Sequence, residues 1–338
     1  MRKSTTSYRR KDRNRVKVSV IIIVKETREF LAKCLDSVKN QTLTDLEVIV
    51  VDDHSEVTSA DIVDKYKDSL KITYNYLHEE HGPGGARNYG FQQAVGELVC
   101  FLDSDDWLDL NYLEYAEALM SRNQADIGMC GLVRNYDSEA YEPVFKCRYH
   151  SAYTIDGITA FRMLAGQYNY GVAISPSPVN KIYRCSFLKK HSISFLEDVY
   201  YEDVLFAFQT LLTGCRVVTI PDVYYHHYRR AGSIVQSLSK RHFDDFETVF
   251  SNVKAYLVES GQYEEFTFHY YKILERFYNL LIRQVFQFSK TEQEKKDWMM
   301  YSFPILKGLI DFEEYMEYFS AEDIRRHIQP FLTDTTLF

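Results

Sequence analysis

Long apolar runs are missing from this chain of 338 residues. None approaches the ~18 residues needed to span a bilayer, and segments such as Val18–Val24 and 48–51 are strand-sized. The polar, basic amino terminus lacks an apolar core segment, so no secretory signal is expected. Cysteine is sparse. The six residues (Cys34, Cys100, Cys130, Cys147, Cys185, Cys215) are scattered without metal or redox spacing, which argues against a cysteine-built metal or dithiol centre. Several lie inside apolar runs, as reduced core thiols do, so the expected compartment is a reducing cytoplasm. Net positive charge is absent as well: at −8 the chain is not a general nucleic-acid binder. Repeats and low-complexity tracts are also missing.

What is present suffices for a large core. With 46% hydrophobic and 26% charged residues the composition is that of an ordinary globular chain, and the length suits two domains. Charge is unevenly spread. Arg2, Lys3, Arg9, Arg10, Lys11, Arg13, Arg15 and Lys17 precede the first strand with only Asp12 against them. A solvated tail fits that cluster, and so does a segment drawn to anionic lipid at the inner face of a membrane.

The stretch 96–107 organises the rest. Leu98 to Leu102 reads as a buried central strand, and it ends in Asp103, Asp105 and Asp106 around Ser104. Like charges at that spacing repel unless something positive sits among them. A hard divalent cation, Mg²⁺ or Mn²⁺, that takes oxygen ligands and carries a phosphate on its other side is the economical resolution. An acidic turn capping the following helix is the alternative. In open α/β sheets ligands collect at the carboxyl ends of strands, which is where these aspartates fall.

Residues 16–24 and 46–51 read as strands separated by a helix through Phe30, Leu31, Cys34, Leu35 and Val38, with Thr27 as its cap. The second strand ends at Asp52-Asp53. A short helix from Ser59 and a third strand over 72–77 lead to a glycine-rich turn, 82–85, and a helix is expected to begin near Ala86-Arg87-Asn88. The alternation implies parallel strands with right-handed crossovers. The glycine turn lacks the third small residue of a dinucleotide fingerprint and follows the wrong strand, so a dehydrogenase is rejected. Arg87 in the first turn of the helix suits a phosphate or a carboxylate.

Further on, 110–122 reads as a helix, 125–133 as a strand, 134–151 as a loop or hairpin and 158–164 as a helix. Glu202-Asp203 opens a helix through Val204, Leu205, Phe208, Leu211 and Leu212. There a capping pair and a general base are both reasonable. Two closing strands, 216–220 and 223–228, lead into His226-His227-Tyr228-Arg229-Arg230-Ala231-Gly232-Ser233, a candidate cationic lid. His227 reads as ordinary core or surface, or as a metal ligand. From about 240 on, aromatic helices replace the alternation, with Tyr270, Ile273, Leu274, Phe277, Leu280, Leu281 and Val285 as an apolar stripe. The expected division is a basic tail 1–15, a catalytic domain 16–239 and a helical region 240–338 used for packing or self-association into a homo-oligomer.

Taken together, VSVIII, CLDSVKNQT, VIVVDDHS, GGARNYG, GELVCFLDSDDW, NKIY, YEDVLF and YYHHYRRAGSI resemble, in order over 16–235, an inverting family 2 glycosyltransferase. The resemblance implies an α/β fold of GT-A type, a nucleotide-sugar-binding, mostly parallel mixed sheet, here with the C-terminal helical region added. It implies a nucleotide-sugar donor, of the UDP-sugar kind, and a glycan or lipid-linked acceptor in surface polysaccharide or cell-wall synthesis. Val24, Glu26, Asp53, Arg87, Asp103, Ser104 and Asp105 become the implied donor-binding residues, with Asp53 on the base or ribose. Asp105, Asp106 and His227 become implied ligands of Mn²⁺ or Mg²⁺, and Asp203 the catalytic base. One departure stands out: the family's Pro-x-Tyr-Asn after the first strand reads Ile23-Val24-Lys25-Glu26 here, and Lys25 cannot stack on a base as Tyr does. A nucleotidyltransferase would need a lysine-bearing glycine-rich loop at that place, which is absent. A catalytically inactive, scaffold-like relative is the alternative that the changed stretch motivates.

Overall fold

The computed structural model describes residues 16–136, 144–168, 174–229 and 237–318. The basic tail and the part of the candidate lid from Arg230 to Ser233 lie outside the described residues. The first half alternates β1 (Val18–Val24), α1 (Arg28–Lys39), β2 (Leu46–Asp52), α2 (Ala60–Asp64), β3 (Ile72–Tyr76), α3 (Gly82–Gln93) and β4 (Leu98–Asp103). Then come β5 (Trp107–Leu108), α4 (Tyr112–Asn123), β6 (Ile127–Tyr136), β7 (Val144–Cys147), β8 (Thr154–Asp156) and α5 (Gly157–Leu164). After them follow β9 (Lys181–Arg184), α6 (Cys185–Lys190), α7 (Glu202–Leu211) and β10 (Arg216–Arg229). Four helices follow: α8 (Lys240–Glu259), α9 (Tyr263–Phe288), α10 (Glu292–Leu309) and α11 (Phe312–Tyr318).

The strands form one mixed sheet in the order β3-β2-β1-β4-β9-β6-β10-β5, with β7 on β6 and β8 on β10. β1 is parallel to β2 and β4, and β2 to β3, as the alternation requires. Nearly every side chain of β1 and β2 is buried, because helices cover both faces of a parallel sheet. Register sets the site: Val24 lies opposite Asp52 and Ile23 opposite Asp103, so the three strands end at one rim.

Several local expectations are corrected. The glycines at 82–85 are no turn before a helix but its first turn, with Pro83 at a position where a missing N–H costs nothing. They are small because the helix lies directly on the segment 195–198: a Cβ on Gly84 would stand 1.9 Å from the Leu196 carbonyl oxygen. Gly84→Ala is therefore expected to destabilise the fold by about 1–3 kcal/mol, and an unchanged urea midpoint would refute that close approach. Residues 216–228 form one strand, not two. The chain passes through Pro221-Asp222 as an irregularity, with Asp222 at φ 55 and the pairing to β6 shifting between Ile220 and Tyr224. Thr27 makes no capping bond; its hydroxyl meets that of Ser104 at 2.5 Å. β5, β9 and α6 are too short for a periodic signal to reveal.

The helices from 240 on share one apolar core with the sheet region. Phe161 of α5 meets Phe266 of α9 edge-on at 5.5 Å, and Phe250 of α8 meets Tyr270 of α9 at 6.1 Å. Of the predicted stripe on α9, Leu280 instead faces solvent, 46% exposed. Among the described residues no helix is long and apolar enough to cross a membrane.

Candidate active site

The rim formed by β1, β2 and β4 is tied together by side chains. Asp53 is buried, and its Oδ1 accepts the His81 N–H at 2.8 Å, just ahead of α3. Burial pushes its carboxyl up against the pull of the His81 and Gly82 amides and of Lys25. Val24 is buried and its carbonyl accepts the Asp53 N–H at 2.8 Å. Glu26, at φ 51, accepts the Glu56 N–H on Oε1 at 2.8 Å. Lys25 reaches the His54 carbonyl and Glu80, both at 3.1 Å.

The four residues of the acidic turn fall on two sides. Ser104 and Asp106 are buried, whereas Asp103 and Asp105 are half-buried. The positive charge that such crowding demands is supplied within the chain, at least in part. Arg87, buried on α3, donates Nη2 to Asp103 Oδ1 at 2.9 Å and Nη1 to Glu202 Oε1 at 2.5 Å. Burial alone would lower the guanidinium pKa; the two carboxylates outweigh it and raise it. Asp103 Oδ2 keeps no hydrogen-bond partner among the described residues. Arg87 thus joins the end of β4 to the start of α7, bringing Asp203 to the same rim.

Asp203 accepts no side-chain hydrogen bond among the described residues, and its pKa is pushed up to about 7. Burial is the main cause and the Glu202 charge adds to it, while Arg87 and Lys181 pull the other way. Lys181 is itself buried on β9. Its ammonium donates to the carbonyls of Ser175 at 2.7 Å and Ser177 at 2.5 Å and to Asn180 Oδ1 at 3.3 Å. Burial lowers its pKa to about 8. The stretch Ser175-Pro176-Ser177-Pro178 is the cradle for this cation, and Lys181 belongs to the NKIY segment quoted for the family resemblance.

β10 closes the other side. Asp106 accepts the Tyr225 hydroxyl at 2.5 Å on Oδ2 and the Tyr228 N–H at 2.7 Å on Oδ1. Each oxygen accepts one bond, so Asp106, expected as a ligand, also ties the acidic turn to β10. Burial, then the Asp103 and Asp105 charges, pushes its pKa well up. His226 bonds Asp109 at 2.8 Å and stacks on Trp107 with ring centres 5.2 Å apart. His227 is held neutral, its pKa lowered to about 4 chiefly by burial.

Residues 19–191 match the family described as Glycosyl transferase family 2, just over half of the chain. The chain belongs to that family. This glycosyltransferase is 28% identical to the putative glycosyltransferase EpsH of Bacillus subtilis over 265 residues, 74% of this chain and 71% of EpsH. It is 30% identical to the poly(ribitol-phosphate) beta-N-acetylglucosaminyltransferase TarS of Staphylococcus aureus over 66% of this chain, but spans only 37% of TarS. Its architecture is GT-A: the crystal structure of TarS 1–349 in complex with UDP-GlcNAc superposes with a TM-score of 0.64 at 24% identity, covering 87% of this chain and 82% of that one.

In this glycosyltransferase, no three His, Cys, Asp or Glu side chains among the described residues form a ready-made metal cage. Mg²⁺ and Mn²⁺ bind through one or two carboxylates with phosphate and water completing the shell, so Asp105 with Asp103 Oδ2 fits that mode. A neutral imidazole is the form of His227 that can bind a metal. A cavity of about 420 Å³ between the end of α5 and α9 shares no lining residue with this rim.

Proposed function

We propose that this enzyme transfers a sugar, with inversion and with a divalent cation, from a UDP-sugar to an acceptor hydroxyl in surface polysaccharide or cell-wall synthesis. The observation that carries it is Asp203: a half-buried carboxylate at the start of α7, with a pKa near 7, tied through Glu202 and Arg87 to the acidic end of β4. A base with its pKa near the working pH is half ready to accept a proton and half ready to give it up. The poly(ribitol-phosphate) acceptor in the name of TarS, and the UDP-GlcNAc bound to TarS, support the donor class and a surface-polymer setting.

Asp203 takes the proton of the acceptor hydroxyl as its oxygen bonds to the anomeric carbon. The bond from that carbon to the diphosphate oxygen breaks, and its electron pair leaves with the UDP. Attack from the opposite face inverts the centre, through an oxocarbenium-like transition state in which positioning and charge stabilisation dominate. Arg87 holds Asp103 and Glu202 and so keeps base and donor rim in register. Asp105 and Asp103, with His227 nearby, would hold Mn²⁺ or Mg²⁺, which supplies positive charge against the departing diphosphate. Asp53, Val24 and Glu26 shape the nucleoside end, where the His54 and Tyr76 rings, 6.0 Å apart, offer the aromatic surface that Lys25 does not.

Asp105→Ala tests the cation's role directly. Calorimetric titration with UDP and Mn²⁺ is expected to show affinity reduced by at least about 10-fold, and wild-type affinity would sink the assignment. Absence of both sugar transfer and Mn²⁺-dependent UDP binding in the unmodified chain would point to a scaffold instead.

A further inference from the structure

The loop that delivers Glu202 and Asp203 is held from outside the sheet. Asp198 (φ 50) and Tyr201 (φ 63) occupy the left-handed region without being glycine, a conformation that persists only where the surroundings enforce it. From one side, the His81 carbonyl accepts the Asp198 N–H at 2.7 Å. From the other comes Arg241, the second residue of α8. Its Nη2 donates to the Asp198 carbonyl at 2.9 Å and to Asp198 Oδ1 at 2.7 Å, and its Nε donates to Asp245 Oδ2 at 3.1 Å. The same Asp245 oxygen accepts the Tyr200 N–H at 2.9 Å. The Tyr200 ring lies 4.8 Å from the Arg241 guanidinium carbon and 4.8 Å from the His242 ring.

We infer that Arg241 and Asp245 are positioning residues: the helical region, through them, fixes the loop 198–201 and with it the placement of the base. The kinetic half of this rests on Asp203 acting as that base; the structural half does not. Arg241 is partly exposed, and solvent-screened ion pairs contribute little to global stability. The effect to look for is therefore local. Asp203 is faced by Glu202 on its own helix, Arg87 from α3, Lys181 and Tyr183 from β9, and Tyr201 from the loop. None of these is itself substituted in Arg241→Ala, and of them only Tyr201 lies in the loop that Arg241 holds. A loosened loop admits water to Asp203, which eases the burial that raises its pKa and moves the acid limb of activity to lower pH.

The test has two arms on the full chain. Without nucleotide, Arg241→Ala is expected to speed amide exchange over 195–203 by about 10-fold or more while β1, β2 and β4 keep wild-type protection. Unchanged exchange in that loop would overturn the inference whatever the donor. With UDP-GlcNAc and Mn²⁺ as probes, UDP affinity should stay within about twofold while turnover falls about 10-fold and its acid limb moves down in pH. Arg241→Lys, which keeps one charged donor, should recover part of the rate. Asp245→Asn, which keeps an acceptor for Tyr200, guards against simple misfolding. Wild-type turnover and an unmoved acid limb in both Arg241→Ala and Asp245→Asn would also overturn it. Should the wild-type chain neither bind UDP nor release it from UDP-GlcNAc, the proposed UDP-sugar donor is refuted, and the exchange arm alone decides whether α8 holds the loop.

Discussion

Asp203→Asn is expected to bind UDP as the wild type does and to transfer sugar about 10²–10⁴-fold more slowly, the usual contribution of a general base. The amide keeps the shape and cannot take a proton. Nucleotide titration and transfer rates on the same preparation separate the two effects, and a normal rate would remove Asp203 from the mechanism. In the wild type, transfer should fall as pH drops through about 7, because the carboxylate is then protonated. Stability should run the other way. A carboxyl whose pKa is raised on folding binds protons more tightly in the folded state, so the wild type gains stability as pH falls from above 7 toward the unfolded value near 4. Asp203→Asn should therefore be the more stable protein at pH 8, and the difference should vanish near pH 4. Urea unfolding at the two pH values measures it.

Arg87→Met should be the most damaging single change to the fold. Methionine fills most of the volume but leaves Asp103 and Glu202 facing each other without the cation that links them. Removing one partner of a buried ion pair costs about 3–5 kcal/mol, since the remaining charge is stranded. Arg87→Lys should fall between the two, because a point charge on a flexible stem cannot bond both carboxylates as a planar fork does. Both values come from urea midpoints; a loss below about 1 kcal/mol in Arg87→Met would mean the bridge is solvated and replaceable. The activity of any folded Arg87→Met protein should also fall, since α7 is no longer tied to β4.

The alternating apolar runs and helical repeats were enough to order the first four strands and to put the acidic turn at a strand end. Strand-sized runs of Val and Ile have few alternatives to a buried parallel sheet. Contacts between distant segments were not legible in this way. Arg87 reads equally well as an exposed arginine, a phosphate ligand or an ion-pair partner until α7 is seen to lie against α3. The two closing strands expected over 216–220 and 223–228 became one, because a break in a local pattern says nothing of the pairing of β10 with β6 across it. Asp106 looked like a neighbour of equal standing to Asp105, and only the approach of Tyr225 and Tyr228 distinguishes them.

By itself the sequence determined the family, the sheet-first architecture, and which carboxylates could matter, since residue type and spacing follow from the chain alone. Tertiary structure decided which of those carboxylates is neutralised by Arg87, which is locked by β10 and which is left as a base. Those outcomes depend on burial and on partners 115 to 122 residues away, and no local pattern encodes a distance across the fold.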